Sequence, residues 1–436
     1  MLERCAVLDW AASGAMALTG LPGGPPVASP APALAMLGAV TEQLARATRE
    51  TGRQVRADPA ELITGRAALA GFTRQGRVSA GRASFLLRSA DGWCAVTLSR
   101  PDDLAAVPAI LGVLGLDGAG LAAGARSALA AAALARPARD VAAAAQLLGV
   151  PAAALPASVP PASAGWPPWR ATRIAPPSAG ARLAGAVVAD LSSMWAGPLC
   201  ARLLGLAGAD VIKVESPDRP DGARSGNREF FDWLHAGHRS LAADFRAAEG
   251  RAALKALLGV ADVVIEASRP RALAALGLAP DMIPHRDGQV WLSITGYGRA
   301  APERVAFGDD AAVAGGLVGW TGPPAPGPVF CADAIADPLT GACGALAVAR
   351  SLAAGGGELI DLSMRDVAAA FAAAPPVDHG PHEVRHDGRV TCPRSRRGQA
   401  VLPPRRPAPP AAAHAAQIGA DTGAVLAWLA GRHARC

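Results

Sequence analysis

Residues 184–215 read AGAVVADLSSMWAGPLCARLLGLAGADVIKVE, and their pattern decides the fold. The opening run AGAVVADL is apolar without alternation, as a short parallel strand buried on both faces requires. AGPLCARLLGLAG then gives a helix, with Pro198 near its start and Gly208 at its end, the places where each residue's backbone preference favours it. ADVIKVE is a second strand. Downstream the alternation repeats: AEGRAALKALLGV (248–260) as a helix, then ADVVIEA (261–267), VWLSITGYG (290–298) and GELIDLSM (357–364) as strands. Strands and helices in this order predict an α/β fold with a doubly wound, mostly parallel sheet and right-handed crossovers. Ligands of such sheets bind beyond the carboxyl ends of the strands. Three segments fall there: DLSSMWAGP (190–198), EASRP (266–270) and TGYG (295–298).

The whole chain has 436 residues, of which 51% are hydrophobic and 18% charged, so most of it is globular rather than disordered. Its net charge is +6, yet the cations are nearly all arginine, with Lys213 and Lys255 the exceptions. They are dispersed, and aromatics are only 4%, which argues against a nucleic-acid binder. Cysteines at 5, 94, 200, 331, 343, 392 and 436 are odd in number and contain no CxxC, which points to a reducing cytoplasm rather than a disulfide framework. Glu3 and Asp9 interrupt the apolar N-terminus, and no stretch reads as a membrane span.

Beyond the sheet pattern, GRVSAGRASFLLRSADGWCAVTLSRPDD suggests a hairpin around Asp91-Gly92. We expect a smaller α+β domain over 49–150, placed N-terminally, a Pro-rich linker over 151–183, the large domain over 184–375 and a Pro/Arg-rich tail over 376–436. DWAASGAMALTG (9–20) resembles DAAVAGGLVGWTG (310–322), each followed by a Pro-rich turn and an Ala-rich helix. Aligning Gly38 with Gly344 puts Ala31 where the second copy has Asp337. Duplication and chance likeness between Ala/Gly-rich segments both account for this.

Asp337 stands in VFCADAIADPLTGACGALAVAR (329–350), with Pro338 after it and Gly341 clearing space on the facing surface. Local chemistry alone makes it a helix cap followed by the first helical proline.

The segments VVADLSSMWAGPLCARLLGLAGADVIKVESP, HAGHRSLAADFRAAEGRAALKALLGVADVVIEASRP, LGLAPDMI, SITGYG, ADPLTG and LIDLSM, in this order over about 180 residues, resemble family III CoA-transferases, the CaiB/BaiF family. The resemblance implies CoA transfer from an acyl-CoA to a carboxylic acid, with Asp337 as the acyl-accepting nucleophile. It places Met194, Trp195, Ala196 and Gly197 beside the thioester, and His238, Arg239, Arg269, Thr295 and Gly296 at the CoA. Arginine suits the phosphates of CoA as a planar multidentate donor. Backbone N–H groups near Gly197 or Gly315-Gly316 would hold the oxyanion. No permanently bound cofactor and no metal is implied; the partners are acyl-CoA and carboxylic acid, and the assembly a homodimer.

The N-terminal 160 residues resemble the family's small domain, which normally follows the catalytic half. Residues 1–48 read as a decayed repeat of the catalytic-half helices, leaving one active site per chain. In FGDD, Asp309 stands where the racemase branch has its histidine, which counts against an acyl-CoA racemase or epimerase. That activity and a non-catalytic CoA-ester binder are the alternatives. HEVRH (382–386) matches HExxH formally, but the flanking Gly380-Pro381 and Asp387-Gly388 leave barely one helical turn. We therefore expect a polar loop there, with no metal on His379, His382 or His386.

Overall fold

The computed structural model describes residues 5–29, 31–116, 124–162, 165–375, 378–385, 388–411 and 414–433. It opens with α1 (Ala6–Ser13), α2 (Ala33–Thr51) and α3 (Pro59–Ala70), the last capped by Asp58, whose carboxylate accepts from the Ala60 N–H at 2.8 Å. β1 (Ser84–Arg88) and β2 (Trp93–Thr97) form the hairpin read around Asp91-Gly92. α4 (Pro101–Ala105), α5 (Val107–Val113), α6 (Ala125–Leu134) and α7 (Ala138–Leu147) follow, and β3 (Ala152–Ala154) returns antiparallel to β2. Leu87, Val96, Ile110, Leu129 and Val141 are buried together as the core of this smaller α+β unit.

The larger unit runs β4 (Arg170–Arg173), β5 (Val187–Asp190), α8 (Ala196–Leu206), β6 (Asp210–Glu215), α9 (Arg228–His235), β7 (Arg239–Ala242), α10 (Ala248–Val260), β8 (Val263–Glu266), α11 (Pro270–Ala275) and β9 (Val290–Thr295). It continues through α12 (Gly308–Ala314), the hairpin β10 (Gly319–Thr321) and β11 (Gly327–Val329), α13 (Ala336–Ala353), β12 (Glu358–Ser363) and α14 (Met364–Ala372). Seven strands make one sheet in the order β4-β12-β9-β8-β5-β6-β7, parallel except for β4. VVAD and VVIE, the whole of β5 and β8, are buried at every position: the valines and Ile265 suit a strand between two helical layers, and each strand ends on a buried carboxylate, Asp190 or Glu266.

Several elements differ from the sequence reading. β3 and β4 both lie in the stretch read as a linker, and β4 adds an antiparallel edge to the sheet. β7 was not read as a strand, because four residues, RSLA, are too few to show a period. Helices α2 and α3 also belong to the large core: Leu37, Leu44, Leu62 and Ile63 are buried with Leu199, Leu292 and Leu346 on one face of the sheet. Leu254, Leu257 and Leu273 cover the other face, with Val425 and Leu429 of the final helix, which spans Thr422–His433. No described helix is long and apolar enough to cross a membrane.

The chain leaves β5 toward β6 and β7 on one side, while β8, β9 and β12 lie on the other. At such a reversal the rule for parallel sheets expects a ligand crevice beyond the carboxyl ends of the flanking strands, here β5 and β8, between residues 191–197 and 267–269.

Candidate active site

The loop after β5 is locked from beneath by a buried lysine. Lys213 donates to the Ser192 carbonyl and to Asp221 Oδ2 at 2.9 Å, with Asp190 Oδ2 3.8 Å away. Burial disfavours its charge, but Asp190 and Asp221 outweigh that and hold it charged. Asp221 in turn accepts the Met194 N–H at 3.0 Å, while Met194 is held at φ 74°, a left-handed conformation unfavourable for a side chain with a Cβ. A Cβ on Gly197 would run into Ser192, so only glycine lets the loop fold back on itself. Trp195 is buried, packed edge-on against Phe230 with ring centroids 5.4 Å apart.

Asp337 meets this loop. Gly341, one turn further along α13, brings α13 against α8; an added Cβ would stand 2.7 Å from the Ala196 carbonyl. That contact carries the Asp337 carboxylate to the Ala196 N–H, at the unsatisfied start of α8. The far side is closed by Gly308, where a Cβ would collide with the carboxylate. α13 begins at Ala336 with Ile335 as its N-cap, so Asp337 lies inside the first turn and its side chain caps nothing. The preceding loop holds Ala332 at φ 56° and Ala334 at φ 41°, strain of the kind stored at functional sites.

Three carboxylates share one cation here. Arg66 donates to Asp333 through Nε at 2.8 Å and Nη2 at 2.5 Å, and its guanidinium lies 4.7 Å from the Trp195 ring centroid. Burial pushes Asp337 up to about 7, with Arg66 opposing the shift and Asp309 and Asp333 reinforcing it. Asp309 accepts from Ser84 Oγ at 2.9 Å and from the Ala334 N–H at 3.1 Å, and burial beside Asp333 raises it to about 6. Asp310 accepts from Thr97 Oγ1 at 3.1 Å and the Phe307 N–H at 2.9 Å; burial raises it to about 8. Through Ser84 and Thr97 the small sheet reaches the helix that faces Asp337.

The other expected residues divide. Arg269 stands beyond β8 at the crevice and makes no hydrogen bond or ion pair among the described residues; burial and then Arg271, Arg100 and Arg219 lower its pKa. Thr295 Oγ1 accepts from the Gly298 N–H at 2.7 Å, and Gly296 packs so closely that a Cβ would lie 2.8 Å from that of Ala306. Arg239 is engaged elsewhere: it pairs with Asp210 through both nitrogens, one at 3.0 Å, and stacks 5.4 Å from the Trp428 ring. Burial, with Lys213 and Arg202 adding, pushes His238 down to about 3, so it offers no charge to a phosphate. The N–H groups of Gly315 and Gly316 bond to Ala311 and Val313, which removes them as oxyanion donors.

The family model described as CoA-transferase family III matches residues 183–403, the span that carries both Asp337 and the loop facing it. The chain belongs to CoA-transferase family III. A succinate–glutarate CoA-transferase of Agrobacterium fabrum is 34% identical over 211 residues, 44% of this chain and 53% of that protein. The beta subunit of a succinyl-CoA–L-malate CoA-transferase from Chloroflexus aurantiacus is 33% identical over 197 residues, 42% of this chain and 49% of that one. A solved CAIB/BAIF family protein from Brucella suis is 31% identical over 45% of this chain and 56% of its own, with a TM-score of 0.40. The chain thus spans about half the length of the relatives it matches.

Sequence reasoning missed Arg66, Asp333, Lys213 and Asp221. A lysine in the middle of the buried strand DVIKVE, in a chain almost without lysine, was a legible signal. Asp333 precedes Asp337 by one turn's spacing. Arg66 carries no local signal, since its partner lies 267 positions away.

Proposed function

We propose that the protein transfers CoA from an acyl-CoA to a carboxylic acid through a covalent aspartyl intermediate on Asp337. The observation that carries this reading is the Asp337 carboxylate, packed against Gly308 where Gly341 brings α13 onto the first turn of α8, inside the span matched by the family. Ionised Asp337 attacks the thioester carbonyl; the C–S bond breaks, giving an acyl-aspartyl anhydride and CoA thiolate. The thiolate attacks the aspartyl carbonyl, releasing the donor acid and leaving an aspartyl-CoA thioester. The acceptor carboxylate and the thiolate then repeat the two steps in reverse. No net proton is consumed. The first-turn N–H groups of α8, at Ala196 and Gly197, are suited to the tetrahedral oxyanion, and Arg269 to the phosphates of CoA.

The raised pKa refines the mechanism. Asp337 is about half ionised near pH 7, so the nucleophile is not fully present there, as an isolated carboxylate would be. Asp309, tied to Ser84 and Ala334, is poorly placed as a mobile base, which favours transfer over proton exchange at the α-carbon. Among described residues Cys5, Cys94, Cys200, Cys331, Cys343 and Cys392 are free, which supports a reducing cytoplasm. We retain the homodimer as part of the proposal.

Succinyl-CoA with glutarate or L-malate, and formyl-CoA with oxalate, form the test panel suggested by the relatives' names. Turnover with any pair, without deuterium exchange at the acyl α-carbon, supports transfer. Exchange without turnover indicates the racemase chemistry, and saturable CoA-ester binding with neither indicates a binder.

A further inference from the structure

The tail reads from sequence as a polar loop, but the structure folds it into a three-stranded antiparallel ribbon of Glu383–Val384, Arg389–Thr391 and Gly398–Ala400. Strands of two or three residues bury too little to hold themselves together. The ribbon lies against α1, and four metal-ligating side chains meet at that contact. The ligand atoms of Cys5, His379 and Cys392 all lie within 4.8 Å of one another, and all three residues are buried. His382 stands beside this group of three, its Nε2 2.9 Å from Cys5 Sγ, and a turn of its side chain would bring it in as the fourth ligand; His379 Nδ1 is 3.4 Å from Cys392 Sγ. We infer that Cys5, His379, His382 and Cys392 form a structural zinc site that fastens the first helix to the C-terminal ribbon.

The donor set and spacing fit. Two sulfurs and two imidazole nitrogens are a common tetrahedral shell for Zn²⁺, and softer or harder cations favour other sets. With metal–sulfur near 2.3 Å and metal–nitrogen near 2.0 Å, tetrahedral neighbours stand roughly 3.5 Å apart; the His379–Cys392 pair is at 3.4 Å, and Cys5, His379 and Cys392 are all within 4.8 Å of one another. Two thiolates and two neutral imidazoles balance the charge of Zn²⁺, which suits a buried position. Binding releases two thiol protons to solvent and changes no oxidation state.

Backbone N–H groups face both sulfurs: those of Val7 and Leu8, at the start of α1, face Cys5, and that of Ser395 faces Cys392. That second contact comes from a tight turn in which the Cys392 N–H donates to the Arg397 carbonyl at 2.9 Å, with Arg396 at φ 51°. His379 is otherwise hard to explain: Nε2 is buried without a hydrogen bond, and Nδ1 faces only a sulfur. A metal at Nδ1 would give that nitrogen a strong partner and fix the ring beside the sulfurs. Cys5 and His382 are 377 positions apart, so the ion would close nearly the whole chain into one loop. The HExxH reading does not return, because Glu383 and Val384 lie in a strand and His386 lies outside the described residues. Zinc bound there would reverse the expectation of no metal on His379 and His382.

The test uses full-length protein purified reduced and without chelator. Elemental analysis should find one zinc per chain, and removing it should lower Tm by several degrees, restored by added Zn²⁺. Cobalt(II) added to the reduced apoprotein should give the visible bands of a tetrahedral thiolate-ligated ion. Cys392→Ser and His379→Ala should each weaken zinc binding at least 10-fold, while Cys94→Ser leaves it unchanged. If these variants fail to fold, the wild-type stoichiometry and the cobalt spectrum still decide. Zinc-free protein whose Tm ignores added Zn²⁺ would overturn the site, as would a Cys5–Cys392 disulfide in its place.

Discussion

α2 and α13 are long helices of 19 and 18 residues that pack on one another in a shared core, yet only one starts at an active-site candidate. α2 starts after Ala31 and Pro32, with Ala31 buried and no acidic residue in its first turn. α13 starts after the strained Ala332 and Ala334, and its first turn places Asp337 against the N–H that opens α8. Both helices carry a glycine at the matching position. Gly344 faces the sheet, where a Cβ would come within 3.1 Å of Leu292, whereas Gly38 has only Pro59 nearby at 3.9 Å. A buried helix start is therefore not sufficient for a site. What distinguishes α13 is a carboxylate, a facing helix N-terminus and a balancing arginine brought from far away in sequence.

The largest effect expected from breaking this contrast is on turnover. Asp337→Asn keeps the size of the side chain, so α13 should form as before, while transfer falls by at least the roughly 10³-fold seen when one strong transition-state contact is lost. Steady-state kinetics on a competent acyl-CoA and acid pair measures it. Turnover at the unmodified rate would reduce Asp337 to the same status as Ala31.

Next comes Arg66→Ala, which leaves Asp333 buried without its cation and three carboxylates uncompensated. We expect a loss of about 3 kcal/mol in unfolding free energy, read from denaturant titration. Conversely, Ala31 has no such cation to lose.

The pH dependence is smaller. The ionised carboxylate is the nucleophile, so the rate should fall as pH drops through about 7, the value to which burial raises Asp337. Asp309, near 6, titrates with it, so the profile belongs to the group rather than to one residue. Stability follows the opposite sign. A carboxyl raised from 3.8 to about 7 contributes stability that is fully present below 3.8 and is lost as pH rises through about 7. Asp337→Asn should thus unfold at higher denaturant than the parent above pH 7, by roughly 2 kcal/mol after allowing for its partial exposure, and show no gain near pH 3. The smallest effect belongs to Arg239→Ala. With its guanidinium held by the partly exposed Asp210, the variant should change stability by less than about 1 kcal/mol and leave the KM for acyl-CoA unchanged, whereas Arg269→Ala should raise that KM.

These differences show where the sequence was readable. The parallel strands were legible because VVA and VVI are apolar runs without alternation, and Asp337 because the family-like segments flank it. The edge strand Arg170–Arg173 was not, since its four residues are all exposed and polar at both ends. Arg239 and Arg269 look alike as isolated arginines beside strands. Only the fold separates the one facing Asp210 from the one standing at the crevice with other cations. Arg66 and Cys5 were illegible for the same physical reason: their partners are hundreds of residues distant, and no local period or spacing records a tertiary contact.

The most direct test of the account is covalent capture. The protein would be incubated with succinyl-CoA without acceptor, treated with hydroxylamine, digested, and its peptides weighed by mass spectrometry. The account predicts one modified peptide, carrying a hydroxamate at Asp337, with Asp309, Asp310 and Asp333 untouched and no label in Asp337→Asn. Label on Asp309 instead, or unmodified Asp337 under conditions where the protein turns over, would contradict it.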